Sequence, residues 1–458
     1  MKHLGIEVNI KNSPVLDEGF IPLGRWNEEF LKDATEYFGI AIERANKQIA
    51  VYNTKIRKGC EFLDANVYYV ERIVKSLLWL KGGFKIYICG DKKISYALRE
   101  MYCMGGRQFF DFDYMASVFE KKFEIVDCDT LPHEKSCGEA IGRHLEGCRI
   151  GFDAGGSDRK VSAVIDGKTV FSEEIVWFPK TTANPDYHFD GIVAAMKSAA
   201  EKMPKVDAIG VSSAGVYVNN RTMNASLFLS VSKDDFDAKV KDIYIRAARE
   251  IGNVPLVVCN DGDVTALAGA MSLKENNVLG IAMGTSEAVG FVDVEGNITG
   301  WLNELAFMPV DANPNALADE WSGDIGVGCK YFSQDAVIKL APKAGIDLDE
   351  KLSPADKLKL VQNLMESGNK NAAKIFESIG VYLAHSLAFY HEFYNFKHVL
   401  LLGRVMSGKG GDTILTVCKK VLSEEYMELT GKITPILPDE NFRRVGQSMA
   451  AASLPKII

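Results

Sequence analysis

Glycine turns between short apolar runs constrain this chain more than any other feature of its sequence. Three runs resemble strands: Arg149–Asp153, Lys160–Ile165 and Thr169–Ile175. The turns Gly155-Gly156 and Asp166-Gly167 join them, which is a hairpin signal. A helical stretch over 189–203 and a strand over 206–211 follow. We therefore expect three antiparallel strands that lead into an α/β arrangement.

The same order of strand, turn and strand begins again at residue 278. When the two regions are laid over each other without a gap, three glycines and one serine coincide. The coinciding pairs are Gly151 with Gly280, Gly155 with Gly284, Ser157 with Ser286, and Gly167 with Gly296. Two explanations stay open: turn chemistry that any two hairpins share, or an internal duplication with one phosphate-binding hairpin in each lobe.

A carboxylate, two glycines and a hydroxyl end the first strand. Backbone N–H groups of a glycine hairpin can approach an anion closely, and a carboxylate beside them can hold a hydrated Mg²⁺. Asp153, Gly155, Gly156 and Ser157 have this pattern. The residues 284–286 supply a similar turn in the second region. A plain β-turn is the alternative interpretation of each.

A second candidate follows the apolar strand over 257–259, which delivers Asn260 and Asp261 to its carboxyl end just before a helix of small residues. Asp261 or Asp263 could be no more than the N-cap of that helix. The functional alternative is that Asp261 is a general base for a substrate hydroxyl and that Asn260 holds a neighbouring hydroxyl. Ligands in such folds bind outside the carboxyl ends of strands.

These motifs occur in the order of the ROK family of sugar kinases, and residues 149–458 resemble that family. The matching segments are Asp153-Ala154-Gly155-Gly156-Ser157, Ser212-Ser213-Ala214-Gly215, Asn260-Asp261, Met283-Gly284-Thr285-Ser286, the segment 303–310, Leu401-Leu402-Gly403-Arg404-Val405 and the terminal stretch Val445–Leu454. The resemblance implies an α/β fold of the two-lobed actin-like ATPase (ribonuclease H-like) class. It implies an N-terminal α/β module of unassigned role at 1–148, a first lobe at 149–261 to which a C-terminal helix at 445–458 returns, and a second lobe at 262–444.

The resemblance also implies an ATP- and Mg²⁺-dependent kinase that phosphorylates a hydroxyl of a hexose or related sugar. Asp261 would be the catalytic base, and Asp153 would position Mg²⁺, through water. The sugar-side residues would be Asn260, Glu304, Ser213 and Gly215. The residues around the ATP phosphates would be Gly155, Gly156, Ser157, Gly284, Thr285, Ser286 and Gly403.

Three positions depart from the family pattern. Ala306-Phe307 stands where the family has a histidine, Cys329 is all that remains of a cysteine-rich zinc loop, and Glu287 stands where small residues are usual. No zinc is therefore expected. An acid at position 287 would repel phosphate unless it points away or meets the metal. The identity of the sugar and the competence of the site stay open.

The composition limits the partners of the chain. The formal net charge is −8, and residues 1–148 carry 21 basic and 22 acidic side chains, so neither part has the basic excess that nucleic-acid binding requires. No apolar run approaches the roughly 20 residues of a membrane span, and no signal core opens the chain. Nine scattered cysteines without a C-x-x-C pair indicate reduced thiols. We expect a cytoplasmic protein that binds a small-molecule sugar and ATP, with no nucleic-acid or membrane partner; a homodimer is left open.

Alternative functions are a sugar-sensing regulator or sugar-binding protein with altered catalysis, and an ATPase or N-acetylglucosamine kinase of the BadF/BadG type, whose D-E-x-S-G loop resembles residues 319–323. Elsewhere, residues 26–58 contain helix-compatible stretches, and Val67–Leu80 has helical periodicity. Residues 407–411 are interpreted as a flexible loop in which Lys409 could contact phosphate. His385 and His391 are interpreted as packing or surface residues.

Overall fold

The structure is a computed structural model that describes residues 1–136, 141–438 and 446–457. The chain groups into two compact units. Unit 1 contains Met1–Cys137, Ile281–Val289 and Trp301–Leu437, and unit 2 contains Gly138–Gly280, Gly290–Gly300 and Pro438–Ile458. Residues 1–136 therefore share a unit with residues 301–437. The predicted boundaries at 148 and 261 stay predictions, and the boundary predicted at 444 lies outside the described residues.

The N-terminal part of unit 1 combines a four-stranded sheet with four helices. The strands of this part are β1 (Lys2–His3), β2 (Ile6–Glu7), β3 (Glu36–Glu43), β4 (Ile49–Ile56), β5 (Lys85–Cys89) and β6 (Glu124–Asp127); β1 and β2 pair with each other outside the four-stranded sheet. The helices are α1 (Leu23–Leu31), α2 (Leu63–Lys81), α3 (Lys92–Met101) and α4 (Phe109–Phe119). The sheet order is β4-β3-β5-β6, with only the pair β5 and β6 parallel. The predicted helix at 67–80 is confirmed as α2. The helical prediction for 26–58 is wrong beyond Leu31, because the aromatic and β-branched runs at 36–43 and 49–56 pair as a hairpin.

Unit 2 is built on one five-stranded mixed sheet. The strands of unit 2 are β7 (Cys148–Ala154), β8 (Asp158–Ile165), β9 (Lys168–Val176), β10 (Ala208–Ser213), β11 (Val216–Val218), β12 (Arg221–Asn224) and β13 (Leu256–Asn260); β11 and β12 pair with each other outside the five-stranded sheet. The helices of this part are α5 (Pro185–Ala200), α6 (Lys233–Asp235), α7 (Ile243–Arg249) and α8 (Asp261–Leu273). The sheet order is β13-β10-β7-β8-β9. β10 is parallel to both β7 and β13, whereas β7, β8 and β9 form the predicted antiparallel meander.

The remaining elements of unit 1 follow unit 2 along the chain. They are β14 (Val278–Met283), β15 (Glu287–Val292), α9 (Gln334–Leu340), α10 (Pro354–Glu366), α11 (Lys370–Tyr394), β16 (His398–Leu402), α12 (Gly408–Glu425) and β17 (Thr434–Ile436). Their sheet order is β15-β14-β16-β17, and β14 and β15 each contribute residues to both units. The predicted flexible loop at 407–411 is wrong, because α12 begins at Gly408.

The last helix, α13 (Gln447–Ala452), packs on strands β7 and β10 of unit 2. The contact is backbone to backbone: a Cβ at Gly151 would overlap the carbonyl oxygen of Ser448, and a Cβ at Gly210 would overlap that of Ala451. Only glycine allows this approach. Val445 and Ile458, the ends of the predicted terminal helix, lie outside the described residues. Within the part of the chain that the structure describes, no helix is both long and apolar enough to cross a membrane.

Candidate active site

The parallel strands of unit 2 bring two carboxylates to one edge of the sheet. Ser212 lies in register with Asp153 on β7 and with Cys259 on β13, and Ser213 is paired one residue further along with Asn260. Strand β7 ends one residue after Asp153, and Asp261 begins helix α8 directly after β13. The sequence motifs around Asp153 and Asn260-Asp261 are thus neighbours at the carboxyl ends of parallel strands, where α/β folds bind ligands.

Asp153 is 8% exposed and is held by a short polar chain. The hydroxyl of Ser212 donates to its Oδ1 at 2.9 Å, and the Nε2 of Gln447 donates to the Ser212 oxygen at 3.0 Å and to the backbone carbonyl of Asp261 at 3.1 Å. The pKa of Asp153 is raised to about 6, chiefly by burial and also by the charge of Asp261, while the Ser212 hydrogen bond works against the rise. Gln447, which α13 supplies, links the two carboxylate positions.

Asp261 is the first residue of α8, and the N-cap of this helix is Asn260. The side-chain oxygen of Asn260 accepts from Gly262 N at 2.7 Å, and Oδ1 of Asp261 accepts from the same N–H at 3.0 Å. Burial raises the pKa of Asp261, while backbone N–H groups and the ammonium of Lys180 work against the rise. The predicted cap role of Asp261 or Asp263 is wrong, so the Asp261 carboxylate is not needed to begin the helix.

The glycine hairpin between β7 and β8 is closely packed on one side and open on the other. A Cβ at Gly155 would lie 2.7 Å from the carbonyl oxygen of Asp158, whereas Gly156 is exposed. The indole N–H of Trp177 donates to Gly155 O at 2.7 Å, and the hydroxyl of Ser157 donates to Asp158 Oδ2 at 3.0 Å. The loop is thereby fixed with its tip free to meet a ligand.

Lys180 is a residue of this site that the sequence did not indicate. Its Nζ would lie 3.4 Å from a Cβ placed on Gly156, and its charge acts on Asp261. It follows Pro179 in a short 3₁₀ helix far from both motifs in sequence, and only the fold brings it to them. It places a cation beside the hairpin, and its charge acts on Asp261.

The predicted sugar-side turn supports Asn260 through its backbone. Asn260 Nδ2 donates to Gly215 O at 2.8 Å, and Gly215 has φ +139, with no room for a Cβ against Asn224 O. Ser213 is buried, and its hydroxyl lies 2.8 Å from the hydroxyl of Tyr244 in the core. The Ser213 side chain therefore faces away from solvent, and we do not retain it as a sugar ligand.

In unit 1 the predicted second turn lies beside the predicted glycine of β16. Gly284 N donates to Ser286 O at 2.9 Å, with Thr285 between them, and Gly284 O accepts from Gln334 N at 2.9 Å. Gly403 has φ +91, and a Cβ there would overlap the carbonyl oxygen of Met283. The residues 284–286 and Gly403 are thus brought together.

Glu287 is buried inside unit 1. It is 3% exposed, and neither of its carboxylate oxygens has a hydrogen-bond partner among the described residues. Burial, reinforced by the charge of Glu304, raises the pKa of Glu287 well above its usual value. The Glu287 side chain is thus buried in unit 1, where burial disfavours the negative charge that its sequence position would bring beside the turn.

Glu304 is half-buried at the start of a short 3₁₀ helix, Leu305–Phe307. Its backbone N–H donates to Trp79 O at 2.9 Å, and the ring of Phe307 lies 4.5 Å from that of Trp79. The residues around this predicted sugar ligand therefore come from the N-terminal part of the chain, which the motifs did not indicate.

Other predicted features take structural roles. Lys409 Nζ donates to the backbone carbonyl of Glu366 at 2.7 Å, so its ammonium group is engaged in a contact within unit 1. His385 is buried between Tyr426 and Asn12 O, as a packing histidine would be. Cys329 is buried and donates to Asp319 at 3.4 Å.

No group of three or more His, Cys, Asp or Glu side chains is arranged to bind a metal ion within residues 1–136, 141–438 and 446–457. Mg²⁺ commonly uses only one or two carboxylates and completes its shell with water and phosphate oxygens. Asp153 fits that donor set, because it is a buried carboxylate whose own charge is disfavoured there and which a cation would stabilise.

Comparison with known proteins finds no matching family model and no matching curated protein. Solved structures do match. The ROK hexokinase from Thermus thermophilus has 16% identity and a TM-score of 0.50, over 67% of this chain and 97% of that chain. A ROK family glucokinase from Streptomyces griseus, in complex with glucose and AMPPNP, has 18% identity and a TM-score of 0.47, over 66% and 98%. A ROK family transcriptional regulator, a homolog of the E. coli MLC protein, has 15% identity and a TM-score of 0.48, over 68% and 79%.

At these identities the comparison shows a likeness of fold alone. This conclusion rests on the hexokinase from Thermus thermophilus. The predicted fold class is confirmed: this chain has the actin-like ATPase fold of the ROK-family sugar kinases.

Proposed function

We propose that this protein is an ATP- and Mg²⁺-dependent kinase that transfers the γ-phosphoryl group to a hydroxyl of a hexose or related sugar. The observation that carries the proposal is the arrangement in unit 2, where Asp153 and Asp261 stand at the carboxyl ends of strands that both pair with β10, and where the charges of Asp153 and Asp261 interact and Lys180 acts on Asp261. Phosphoryl transfer needs positioning, charge neutralisation and one base, and this group of side chains can supply each of them.

In this proposal Asp261 accepts the proton of the sugar hydroxyl while that oxygen bonds to the γ-phosphorus and ADP leaves. The raised pKa of Asp261 brings its proton affinity closer to that of a base working near neutrality. Asn260 offers an amide to a neighbouring sugar hydroxyl, held in place by Gly215 and by its capping role. In unit 1 we assign Glu304 to a sugar hydroxyl.

The backbone N–H groups of Gly155, Gly156 and Ser157 and the ammonium of Lys180 would face the phosphates. In unit 1 we assign Gly284, Thr285, Ser286 and Gly403 to the same task. Asp153 would hold Mg²⁺ through water, and the ion, when bound, neutralises phosphate charge. The eight described cysteines are all unpaired, which supports the cytoplasmic location that we include in the proposal.

The test measures ADP release by the full chain with ATP and Mg²⁺. Each sugar of a panel of hexoses, amino sugars and their N-acetyl derivatives is added in turn, and a sample without sugar gives the background. We expect release that depends on a sugar. Sugar-independent release would favour an ATPase, and sugar binding without release would favour the sugar-sensing protein that the sequence left open.

A further inference from the structure

The C-terminal end of helix α2 holds the segment that carries Glu304. The last carbonyl groups of a helix have no partner within the helix. In α2 the Leu78 carbonyl accepts from Gly82 N at 2.8 Å, which closes the helix. The next two carbonyls, of Trp79 and Leu80, accept from Glu304 N at 2.9 Å and from Asn303 N at 3.0 Å. The C-terminal end of α2 therefore fixes the positions of the backbone N–H groups of Asn303 and Glu304.

An aromatic cluster of Trp79, Phe110, Tyr114 and Phe307 supports the same junction. Phe307 lies 4.5 Å from Trp79 and 5.2 Å from Phe110, and Trp79 lies 5.8 Å from Phe110 and 4.9 Å from Tyr114, measured between ring centroids. Such ring pairs stabilise a structure beyond the effect of the apolar area that they bury. Because Phe307 N donates to Glu304 O at 3.2 Å, the cluster fixes the short helix that Glu304 opens.

One turn earlier, α2 is joined to the same region by buried ion pairs. Arg72 Nη2 lies 2.9 Å from Asp324 Oδ2, and Lys75 Nζ lies 3.3 Å from it. Gln108 Nε2 donates to the same oxygen at 3.3 Å. A buried charge that loses its partners is strongly unfavourable, so these ion pairs resist a shift of α2 relative to residues 301–325.

We propose that residues 1–136 are a positioning element for the sugar site, which acts through α2 and the aromatic cluster to set the place of Glu304. This inference rests on the proposed function, in which Glu304 binds a sugar hydroxyl. It gives the N-terminal residues a role in substrate affinity without a contact to the substrate.

The first test does not depend on catalysis. Hydrogen exchange at the amides of Asn303 and Glu304 is measured in the full chain and in Phe110→Leu, a half-buried position on α4 whose ring lies 5.2 Å from that of Phe307. The control is Phe123→Leu, whose ring contacts Tyr102 and Phe112 in the same N-terminal part. We expect faster exchange at 303–304 in Phe110→Leu alone. Equal exchange in all three proteins overturns the inference.

The second test uses sugar kinetics with the same variants and with Phe307→Leu. A displaced sugar ligand costs roughly tenfold to a hundredfold. We expect the KM for the sugar to rise by that factor in Phe110→Leu and Phe307→Leu, with the KM for ATP unchanged, and neither value to move in Phe123→Leu.

The decisive comparison is made in a Glu304→Gln background. If α2 and its cluster act through Glu304, Phe110→Leu adds little to the loss already caused by Glu304→Gln, because groups that act as a unit are not additive. Fully additive effects overturn the inference and leave the kinase proposal intact. A wild-type chain that phosphorylates no sugar overturns the proposed function instead, and the exchange measurement still decides whether α2 places Glu304.

Discussion

Asp261 is the residue on which the proposed chemistry depends most directly. Asn in its place keeps the size and the oxygen that accepts from Gly262 but cannot take a proton. We expect Asp261→Asn to lower kcat for sugar phosphorylation about 10²–10⁴-fold, the usual contribution of a general base. Coupled ADP release measures the loss, and thermal unfolding verifies the fold. Asp242→Asn, an exposed carboxylate of the same unit, is the matched control. Undiminished turnover in Asp261→Asn would exclude this residue as the base.

Asp153 predicts a dependence of stability on pH with a definite sign. Burial raises its pKa in the folded protein from 3.8 to about 6, so between these values the folded state binds more protons than the unfolded state. Stability from this group therefore falls as pH rises through that window, and the full cost, up to about 3 kcal/mol, is present above it. Asp153→Asn removes the charge and still accepts from Ser212.

Denaturant unfolding of wild type and Asp153→Asn at pH 4 and pH 7.5 measures this effect. We expect the variant to be the more stable protein at pH 7.5 and the difference to shrink at pH 4. Added Mg²⁺ should narrow the gap at pH 7.5, since a bound cation offsets the buried charge. An equal difference at both pH values would contradict the raised pKa of Asp153.

At the scale of residues, the sequence predicted the carboxylates better than their surroundings. Asp153 and Asn260-Asp261 could be placed together because the ends of parallel strands share one edge of a sheet. The sequence does not show which of Ser212 and Ser213 faces the site, because β10 is buried on both faces and shows no alternation of polar and apolar residues. Lys180 and Gln447 reach the site only through tertiary packing; Lys180 stands in none of the motifs, and the matching terminal stretch 445–454 gave Gln447 no role.

Among the elements, helix α13 is joined to the site by the contact of its backbone with β7 and β10. Ala at position 210 would place its Cβ within the carbonyl oxygen of Ala451, so the helix must move. Because α13 carries Gln447, that movement would also disturb Ser212 and the Asp261 backbone. We expect Gly210→Ala to cost about 1–3 kcal/mol of stability and to lower kcat.

The control for this prediction is Gly252→Ala. The nearest atom to a Cβ at that position is Val254 Cγ1, at 3.8 Å, so the methyl group is accommodated. Unfolding midpoints and sugar-dependent ADP release of both variants give the comparison. Equal stability of Gly210→Ala and wild type would show that α13 does not pack on β10 as described.

Element types were predictable where apolar periodicity was long and regular. The hairpins of β7, β8 and β9 and the helices α2 and α5 follow their patterns closely. The pair β3 and β4 was missed because Trp26 to Leu31 begins as a helix and the following residues also fit helical spacing. Only the pairing of β3 with β4 on one side and with β5 on the other makes these residues strands. The start of α12 was missed because its first turn contains three glycines, whose low helix propensity indicates a loop.

In the whole molecule, the N-terminal residues are part of the core of unit 1. Phe20 is fully buried, with its ring 4.7 Å from Tyr382 and 5.8 Å from Tyr331, and Ile21 N donates to Asp311 at 2.9 Å. Burial alone would raise the pKa of Asp324, yet Arg72 and Lys75 of α2 hold it far below its usual value. Composition and motifs gave no sign of this, because the contacts join residues that are hundreds of positions apart.

This packing predicts that residues 149–458 do not suffice for a folded protein, although the motifs all lie there. A chain that begins at residue 149 would leave Tyr331 and Tyr382 without Phe20 and the buried Asp324 without its cations, and an unpaired buried charge alone costs about 3–5 kcal/mol. That is a large share of the 5–15 kcal/mol that usually stabilises a folded protein.

We expect the shortened chain to be insoluble, or to lack a cooperative transition for unit 1, and to have no sugar kinase activity. Calorimetry and circular dichroism measure the transition, and co-expression of residues 1–148 as a separate chain should restore it. A shortened chain that melts cooperatively at the temperature of the full chain and phosphorylates sugar would show that residues 1–148 are an appended module.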